Sequence, residues 1–171
     1  SGDPGLPGAT AQVIRPRHGN AGWPGVAACE SPRRRLPGHA RGRLTAICYG
    51  YRGGPGQWWY EQVSQGLREQ DRELPADYVE LTELHVSPRY QGRGIGTALL
   101  REFLSGRPER SVLLSTPEVD DESNGAWRLY RSMDFTDVLR SYRFEGDPRP
   151  FAVLSRPLPL TEPGGPREQP S

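Results

Sequence analysis

Hydrophobic positions along the chain form short apolar runs and helically spaced clusters, and this pattern predicts the secondary structure. Strands are predicted for the apolar runs Gly25–Glu30, Leu44–Tyr51, Tyr78–Val86, Ser111–Ser115, Phe135–Phe144 and Phe151–Arg156. Helices are predicted where apolar residues recur every three or four positions, over Gln57–Gln70, Gly94–Leu104 and Asn124–Met133. The last two strands are close in sequence and are expected to pair as a hairpin.

The order of these elements predicts an α/β fold with a mixed, mostly antiparallel sheet. Two βα units each return the chain to the sheet in the same direction, which brings strands 78–86 and 111–115 side by side in parallel. One domain is expected over residues 25–157. Residues 1–24 lack periodicity and predict an irregular segment, whereas the Pro- and Gly-rich residues 158–171 predict a disordered tail.

Composition narrows the classes of function. The 171 residues carry a net charge of only +1, so no global field favours nucleic acid or an anionic membrane as a partner. No apolar run approaches the length of a membrane-spanning helix, and the first ten residues lack the layout of a signal peptide, so a cytoplasmic protein is expected. Cys29 and Cys48 form neither a disulfide framework nor a zinc pattern, and no metal site is predicted.

The segment Gln91–Gly96 follows the predicted strand that ends at Val86, and it opens the next helix. Backbone N–H groups at the start of a helix have no helical partner, and with the helix dipole they attract phosphate. Glycines at 92, 94 and 96 allow the backbone to approach such a ligand closely. Dinucleotide-binding folds use G-x-G-x-x-G instead, in an opening βαβ unit. The spacing here therefore favours a pyrophosphate site of another kind.

This segment resembles the signature of the GNAT superfamily of acyltransferases. Gln91, Gly94 and Gly96 match (Gln/Arg)-x-x-Gly-x-(Gly/Ala), and Val86–Tyr90 match the V-x-P-x-Y that precedes it in the family. A second segment, Asn124–Phe135, is similar to the family's N-x-x-A-x-x-L-Y-x-x-x-G-F, with Asn124 one residue closer to the Ala than in that pattern and Asp134 in place of the usual Gly. The resemblance covers residues 25–157 and implies the GNAT fold.

In that family the parallel pair of strands is splayed around acetyl-CoA, which is a co-substrate. The resemblance implies no metal cofactor. The resemblance implies that the backbone of strand 78–86, the first of the parallel pair, holds the pantetheine arm. It also implies that the turn after this strand holds the pyrophosphate. The cofactor-binding residues implied are Leu84, His85, Val86, Gln91, Gly92, Arg93, Gly94, Ile95, Gly96, Thr97 and Asn124.

Three residues are candidates for the chemistry. Tyr130 matches the family's tyrosine that protonates the departing CoA thiolate, although its spacing also suits a packed aromatic residue. Glu80 stands eleven residues before Gln91, where some members of the family carry a catalytic base, and Glu83 is the second candidate. Strand alternation predicts that the two glutamates lie on opposite faces of the sheet, with His85 on the side of Glu83. For each glutamate the alternative is an ordinary polar strand residue.

The resemblance implies an N-acetyltransferase in which a primary amine, of a small molecule or of a protein, attacks the acetyl group directly. Family members normally open with a strand and two helices that cover the acceptor site, and these N-terminal elements look truncated here. The alternative is therefore a catalytically inactive acyl-CoA-binding domain with a regulatory or partner-binding role. Trp58, Trp59 and Tyr60 are expected either to line the acceptor pocket or to pack in the core. A homodimer is left open.

Overall fold

The computed structural model describes the backbone of residues 11–14, 25–31 and 43–160, and side chains from residue 45 to residue 160. Its strands are β1 Ala11–Ile14, β2 Gly25–Ser31, β3 Arg43–Arg52, β4 Tyr78–Val86, β5 Ser111–Pro117, β6 Thr136–Tyr142 and β7 Phe151–Pro157. Its α-helices are α1 Trp58–Arg68, α2 Ile95–Leu104 and α3 Gly125–Ser132. Short 3-10 turns follow β4 at Pro88–Tyr90 and β5 at Asp120–Glu122.

The strands of the described ranges form one sheet in the order β1-β2-β3-β4-β5-β7-β6. Neighbouring strands are antiparallel except β4 and β5, which are parallel. This confirms the predicted mixed sheet with its central parallel pair. The predicted hairpin of β6 and β7 is also present, and β7 lies between β6 and β5.

The parallel pair is joined over a short stretch only. Its register is Tyr78 with Ser111, Val79 with Val112 and Glu80 with Leu113, and beyond Glu80 the two strands are no longer paired. From there β4 continues against β3, while β5 continues against β7 as far as Pro117. The sheet therefore has a gap between β4 and β5 that opens towards the carboxyl ends of both strands.

Helices cover both faces of this sheet. Apolar side chains of α2 and α3, including Leu99, Phe103 and Trp127, pack on one face against strand residues such as Val79 and Leu114. Trp59, Val63 and Leu67 of α1 pack on the other face against Tyr78, Leu113 and Val153. The helical spacing seen in the sequence buries one side of each helix, which is why the periodicity located all three helices. We name the two sides the α1 face and the α2–α3 face.

Two segments differ from the sequence predictions. Residues 1–24 are not irregular throughout, because Ala11–Ile14 pair with β2 as the edge strand β1, where β-branched Val13 and Ile14 suit a strand. The disordered tail does not begin at residue 158, since the Leu158 amide donates to the carbonyl of Arg110 at 2.8 Å and Leu158 packs on the core. Residues 1–10, 15–24 and 161–171 lie outside the described residues.

Within the ranges that the structure describes, no helix has both the length and the apolar character needed to cross a membrane.

Candidate active site

A β-bulge in β4 lies where the gap begins. Along the β3–β4 ladder Tyr49 pairs with Glu83, but the next residue, Gly50, pairs with Leu81. Thr82 is therefore an extra residue in β4. A bulge bends its strand and increases the local twist, which carries β4 away from β5 at this point. Gly50 permits the close approach of the two strands, since a Cβ there would lie 2.0 Å from the carbonyl oxygen of Glu80.

The bulge brings Glu80 and Glu83 to the same face of the sheet. Cross-strand partners share a face, so Glu80 lies with Tyr51, and Glu83 lies with Tyr49. The two tyrosines are two residues apart on β3 and therefore point to the same side. The prediction that the two glutamates lie on opposite faces is wrong, because the extra residue restores the side-chain direction that simple alternation would have reversed. His85 lies with Glu83, as predicted, and all three residues are on the α1 face.

The backbone of β4 beyond the bulge borders the gap. The Ser87 amide donates to the carbonyl of Thr45 at 2.8 Å, which fixes the alternation of the β3–β4 ladder in the same register. The backbone groups of His85 then point towards β3, and those of Leu84 and Val86 point into the gap. Of the three residues predicted to hold pantetheine through the backbone, the ladder thus leaves Leu84 and Val86 facing the gap, whereas His85 is used in the sheet.

The turn after β4 is held by Gln91. Its side-chain amide donates to the carbonyl of Val86 at 3.0 Å, so this residue fastens the helix start to the strand end. Arg93 is exposed, and its guanidinium lies 5.6 Å from the centre of the Tyr90 ring. Arg93 therefore places an exposed cation beside the turn.

Glycine is required in this turn for its backbone conformation. Gly92 has φ of 73° and Gly94, the N-cap of α2, has φ of 76°, and both values disfavour any side chain. No atom lies within 4 Å of the position of a Cβ at either residue. The first helical bond runs from Ala98 to Gly94 at 3.0 Å, so the amides of Ile95, Gly96 and Thr97 precede it. The turn therefore offers a row of backbone donors beside open space.

Gly96 serves packing instead. A Cβ at this position would lie 2.8 Å from Leu129 of α3 and 3.6 Å from Val86 of β4. Its missing side chain lets α2 sit close to both elements. Gly96 is thus required for close packing against Leu129 and Val86, whereas Gly92 and Gly94 are required for their backbone conformation.

Asn124 and Tyr130 both lie on the α3 segment. The side-chain Oδ1 of Asn124 caps the helix by accepting from the Trp127 backbone amide at 3.0 Å, and the side-chain NH₂ group is left for another partner. Tyr130 is buried on the α2–α3 face, with its ring 5.6 Å from that of Phe135. Burial, and after it the nearby Cys48 thiol and Glu83 carboxylate, raise the pKa of the Tyr130 phenol. The phenol therefore keeps its proton throughout the neutral range.

Glu80 lies at the last pairing of β4 with β5, where the gap begins, and only 5% of it is exposed. Burial raises the pKa of its carboxyl to about 7, and a hydrogen bond from the Tyr51 hydroxyl opposes that rise. The Oε2 atom is buried and has no hydrogen-bond partner within the described residues. Glu83, by contrast, is exposed.

Helix α1 covers the neighbouring part of the same face. Trp59 is buried; its indole N–H donates to the Ser115 hydroxyl at 3.2 Å, and its ring lies 6.1 Å from that of Tyr78. Trp58 is 55% exposed and lies against Phe144, with 5.6 Å between ring centres. The sequence left both tryptophans open between pocket and core. Trp59 belongs to the core, and Trp58 is a surface residue at the start of α1.

Two contributions to the site were missed by the sequence analysis. Tyr51 enters through its cross-strand pairing with Glu80, and Thr82 enters as the bulge residue. Neither follows from residue spacing, since both depend on the register of β3 against β4. The sequence does show a polar residue, Tyr51, on the strand before Glu80. It cannot be paired with Glu80 until the register of β3 against β4 is known.

Comparison with known proteins agrees with this geometry. The family model for an acetyltransferase (GNAT) domain matches residues 57–137. The chain is 48% identical to the GCN5-like protein acetyltransferase Rv2170 of Mycobacterium tuberculosis over 157 residues, which cover 81% of this chain and 76% of that protein. The chain belongs to the GNAT family. The prediction of an acyltransferase enzyme is thereby confirmed at the level of the family.

Other GNAT proteins are similar over a smaller share or at lower identity. N-alpha-acetyltransferase RimI of the same organism is 40% identical over 84 residues, which cover 47% of this chain and 51% of RimI. The crystal structure of Arabidopsis thaliana NAA60 in complex with acetyl-CoA has a TM-score of 0.53 at 25% identity, over 79% of this chain and 76% of that one. NAA60 in complex with a bisubstrate analogue, at 22% identity and a TM-score of 0.54, supports the fold.

Proposed function

We propose that this GNAT protein transfers the acetyl group of acetyl-CoA to a primary amine by direct attack, with Glu80 as the base. The observation that carries the proposal is the placement of Glu80. It is a buried carboxyl whose pKa is raised by burial to about 7, and it lies where the β4–β5 gap begins. A general base works best when its pKa is near the working pH, so this environment suits Glu80 to take a proton from an amine. Exposed Glu83 lacks that environment.

The residues around the gap fit an acyl-CoA. The backbone groups of Leu84 and Val86 face the gap and would extend the sheet to the amides of a pantetheine arm, as an added strand does. The amides of residues 92–97 and the positive end of the α2 dipole would hold the pyrophosphate. Arg93 adds a cation at the same place, and the free NH₂ group of Asn124 would donate to the ligand. NAA60, which is similar in structure, was crystallised with acetyl-CoA.

When bound, acetyl-CoA supplies an activated acetyl thioester. Glu80 accepts the proton that the amine nitrogen loses as the N–C bond forms. Tyr130 donates to the sulfur as the C–S bond breaks. Because its pKa is raised, Tyr130 acts more as a hydrogen-bond donor than as a strong acid.

The acceptor that we favour is an amine on a protein, because the relative that is 48% identical is named a protein acetyltransferase. Helix α1 lies on the same face as Glu80, and exposed Trp58 at its start offers an apolar surface beside the approach. In this proposal α1 covers the face that two opening helices cover in other members of the family.

Binding and transfer are tested with one pair of variants. Gly94→Glu places a carboxylate beside the pyrophosphate position, whereas Gly94→Ala introduces only the backbone strain of a positive φ, about 1–2 kcal/mol. We expect calorimetry with acetyl-CoA to show binding by the wild type, weaker binding by Gly94→Ala and none by Gly94→Glu. Thiol release from acetyl-CoA with amine-bearing peptides and small amines then measures transfer. Equal binding by all three proteins would refute the site, and binding without transfer to any amine would favour the inactive binding domain.

A further inference from the structure

We propose that Tyr51 is a positioning residue for Glu80. Its hydroxyl donates to the carboxylate at the start of the β4–β5 gap and favours the ionised form, which takes the proton of the acceptor amine. This inference rests on the proposed role of Glu80 as the base. Tyr51 does not touch the reacting atoms in this proposal and acts only through Glu80.

The geometry places the two side chains together. Tyr51 on β3 and Glu80 on β4 are direct cross-strand partners, and cross-strand side chains lie close enough to interact. Glu80 is 5% exposed, so water competes little for its oxygens, and a neighbouring hydroxyl counts more than it would at the surface. Its Oε2 atom has no hydrogen-bond partner in the described part of the chain. Tyr51 is thus the side chain that the described residues offer this carboxylate as a hydrogen-bond donor.

The bulge contributes to the same arrangement. Thr82, the extra residue of β4, places its hydroxyl in a hydrogen bond with Tyr51, and Tyr51 in turn contacts Glu80. Three residues therefore form a short chain of hydroxyl groups that ends on the candidate base.

Other titratable groups face Glu80 without contributing such a bond. Tyr78 lies two residues earlier on the same strand and face, but its hydroxyl is buried without a partner in the described residues. Tyr60 of α1 belongs to the same cluster of interacting phenols, and Leu113 of β5 faces Glu80 with an apolar side chain. Tyr51 is the phenol of this cluster that hydrogen-bonds the carboxyl and opposes the effect of its burial.

The test compares Tyr51→Phe with Tyr49→Phe. Tyr49 lies two residues earlier on the same strand and face, opposite Glu83, and is the matched control. The carboxyl carbon of Glu80 is titrated by ¹³C NMR in wild type and both variants without substrate, with its signal assigned by its loss in Glu80→Gln. We expect the pKa of Glu80 to rise by about one unit or more in Tyr51→Phe, because a hydrogen bond to the charged form is lost, and to stay unchanged in Tyr49→Phe.

The dependence of kcat/KM on pH supplies the second readout. A rise of about one unit from a pKa near 7 lowers the ionised fraction of Glu80 by about tenfold at pH 6 and hardly at all at pH 9. Tyr51→Phe should therefore lose about tenfold in kcat/KM at pH 6 and little at pH 9, unlike Tyr49→Phe. An unmoved Glu80 titration in Tyr51→Phe, or a loss of the same size at every pH, would overturn the role of Tyr51. Full transfer by Glu80→Gln would instead overturn the proposed function, whatever the titration shows.

Discussion

Replacement of Glu80 by Gln should stabilise the protein at neutral and alkaline pH. The folded protein raises the pKa of this carboxyl from an ordinary value of 4.5 to about 7, with burial as the main cause and the Tyr51 hydrogen bond opposing it. Folding therefore favours the protonated form. The stability that this preference contributes is present in full below pH 4.5 and is lost as the pH rises through 7. Gln resembles the protonated carboxyl in size and charge, and it keeps the acceptor for Tyr51.

The size of the effect follows from the two pKa values. A difference of about 2.5 units corresponds to roughly 3 kcal/mol between the two protonation states. Most of it develops between pH 5 and pH 8, so the stability of Glu80→Gln relative to wild type should change by about 2.5 kcal/mol over that range. For a domain of this size, a gain of this order raises Tm by roughly 5–10 °C.

Urea denaturation of wild type and Glu80→Gln at pH 5 and pH 8 measures this directly, with Glu83→Gln as the control. Glu83 is exposed, so its replacement should leave the free energy of unfolding nearly unchanged at both values. A stability difference between wild type and Glu80→Gln that is the same at pH 5 and pH 8 would show that burial does not hold back the ionisation of Glu80. The environment that we propose for the base would then be wrong.

Two further variants test the α3 segment. Tyr130→Phe keeps the buried ring and removes the hydroxyl donor. We therefore expect unchanged acetyl-CoA affinity and a turnover lower by about tenfold, measured by thiol release. Unchanged turnover with an unchanged melting temperature would remove Tyr130 from the mechanism. Asn124→Asp keeps a side-chain oxygen to cap α3 and removes the NH₂ donor, so calorimetry should show weaker acetyl-CoA binding without loss of Tm. Asn124→Ala should also lose about 1 kcal/mol of stability, because the cap is lost. Equal acetyl-CoA affinity in wild type and Asn124→Asp would leave Asn124 as a cap only.

The fold was largely predictable because its elements are encoded locally. Helical periodicity buries one side of α1, α2 and α3, and apolar runs mark β4 and β5, so spacing alone located them. The turn at Gly92 and Gly94 was predictable for a similar reason, since glycine adopts a positive φ at the least cost. The edge strand β1 is only four residues long, and its assignment depends on pairing with β2.

The arrangement around Glu80 could not be predicted in the same way. Its face relative to Glu83 depends on one extra residue, Thr82, and a bulge leaves no clear mark in the sequence. Its hydrogen bond with Tyr51 joins residues that are far apart in the chain and meet only through strand register. The sequence spacing nevertheless selected Glu80 ahead of Glu83, and burial of Glu80 is consistent with that order.

The central claim, that Glu80 is the base for acetyl transfer, is tested most directly by the pH dependence of kcat/KM in Glu80→Gln and Glu83→Gln with a peptide amine as acceptor. We predict that the wild type loses activity below a pKa near 7, that Glu83→Gln keeps this profile, and that Glu80→Gln is slower by about 10²–10⁴-fold and lacks that limb. A Glu80→Gln protein that transfers acetyl groups at the wild-type rate, with the same acidic limb, would contradict the account.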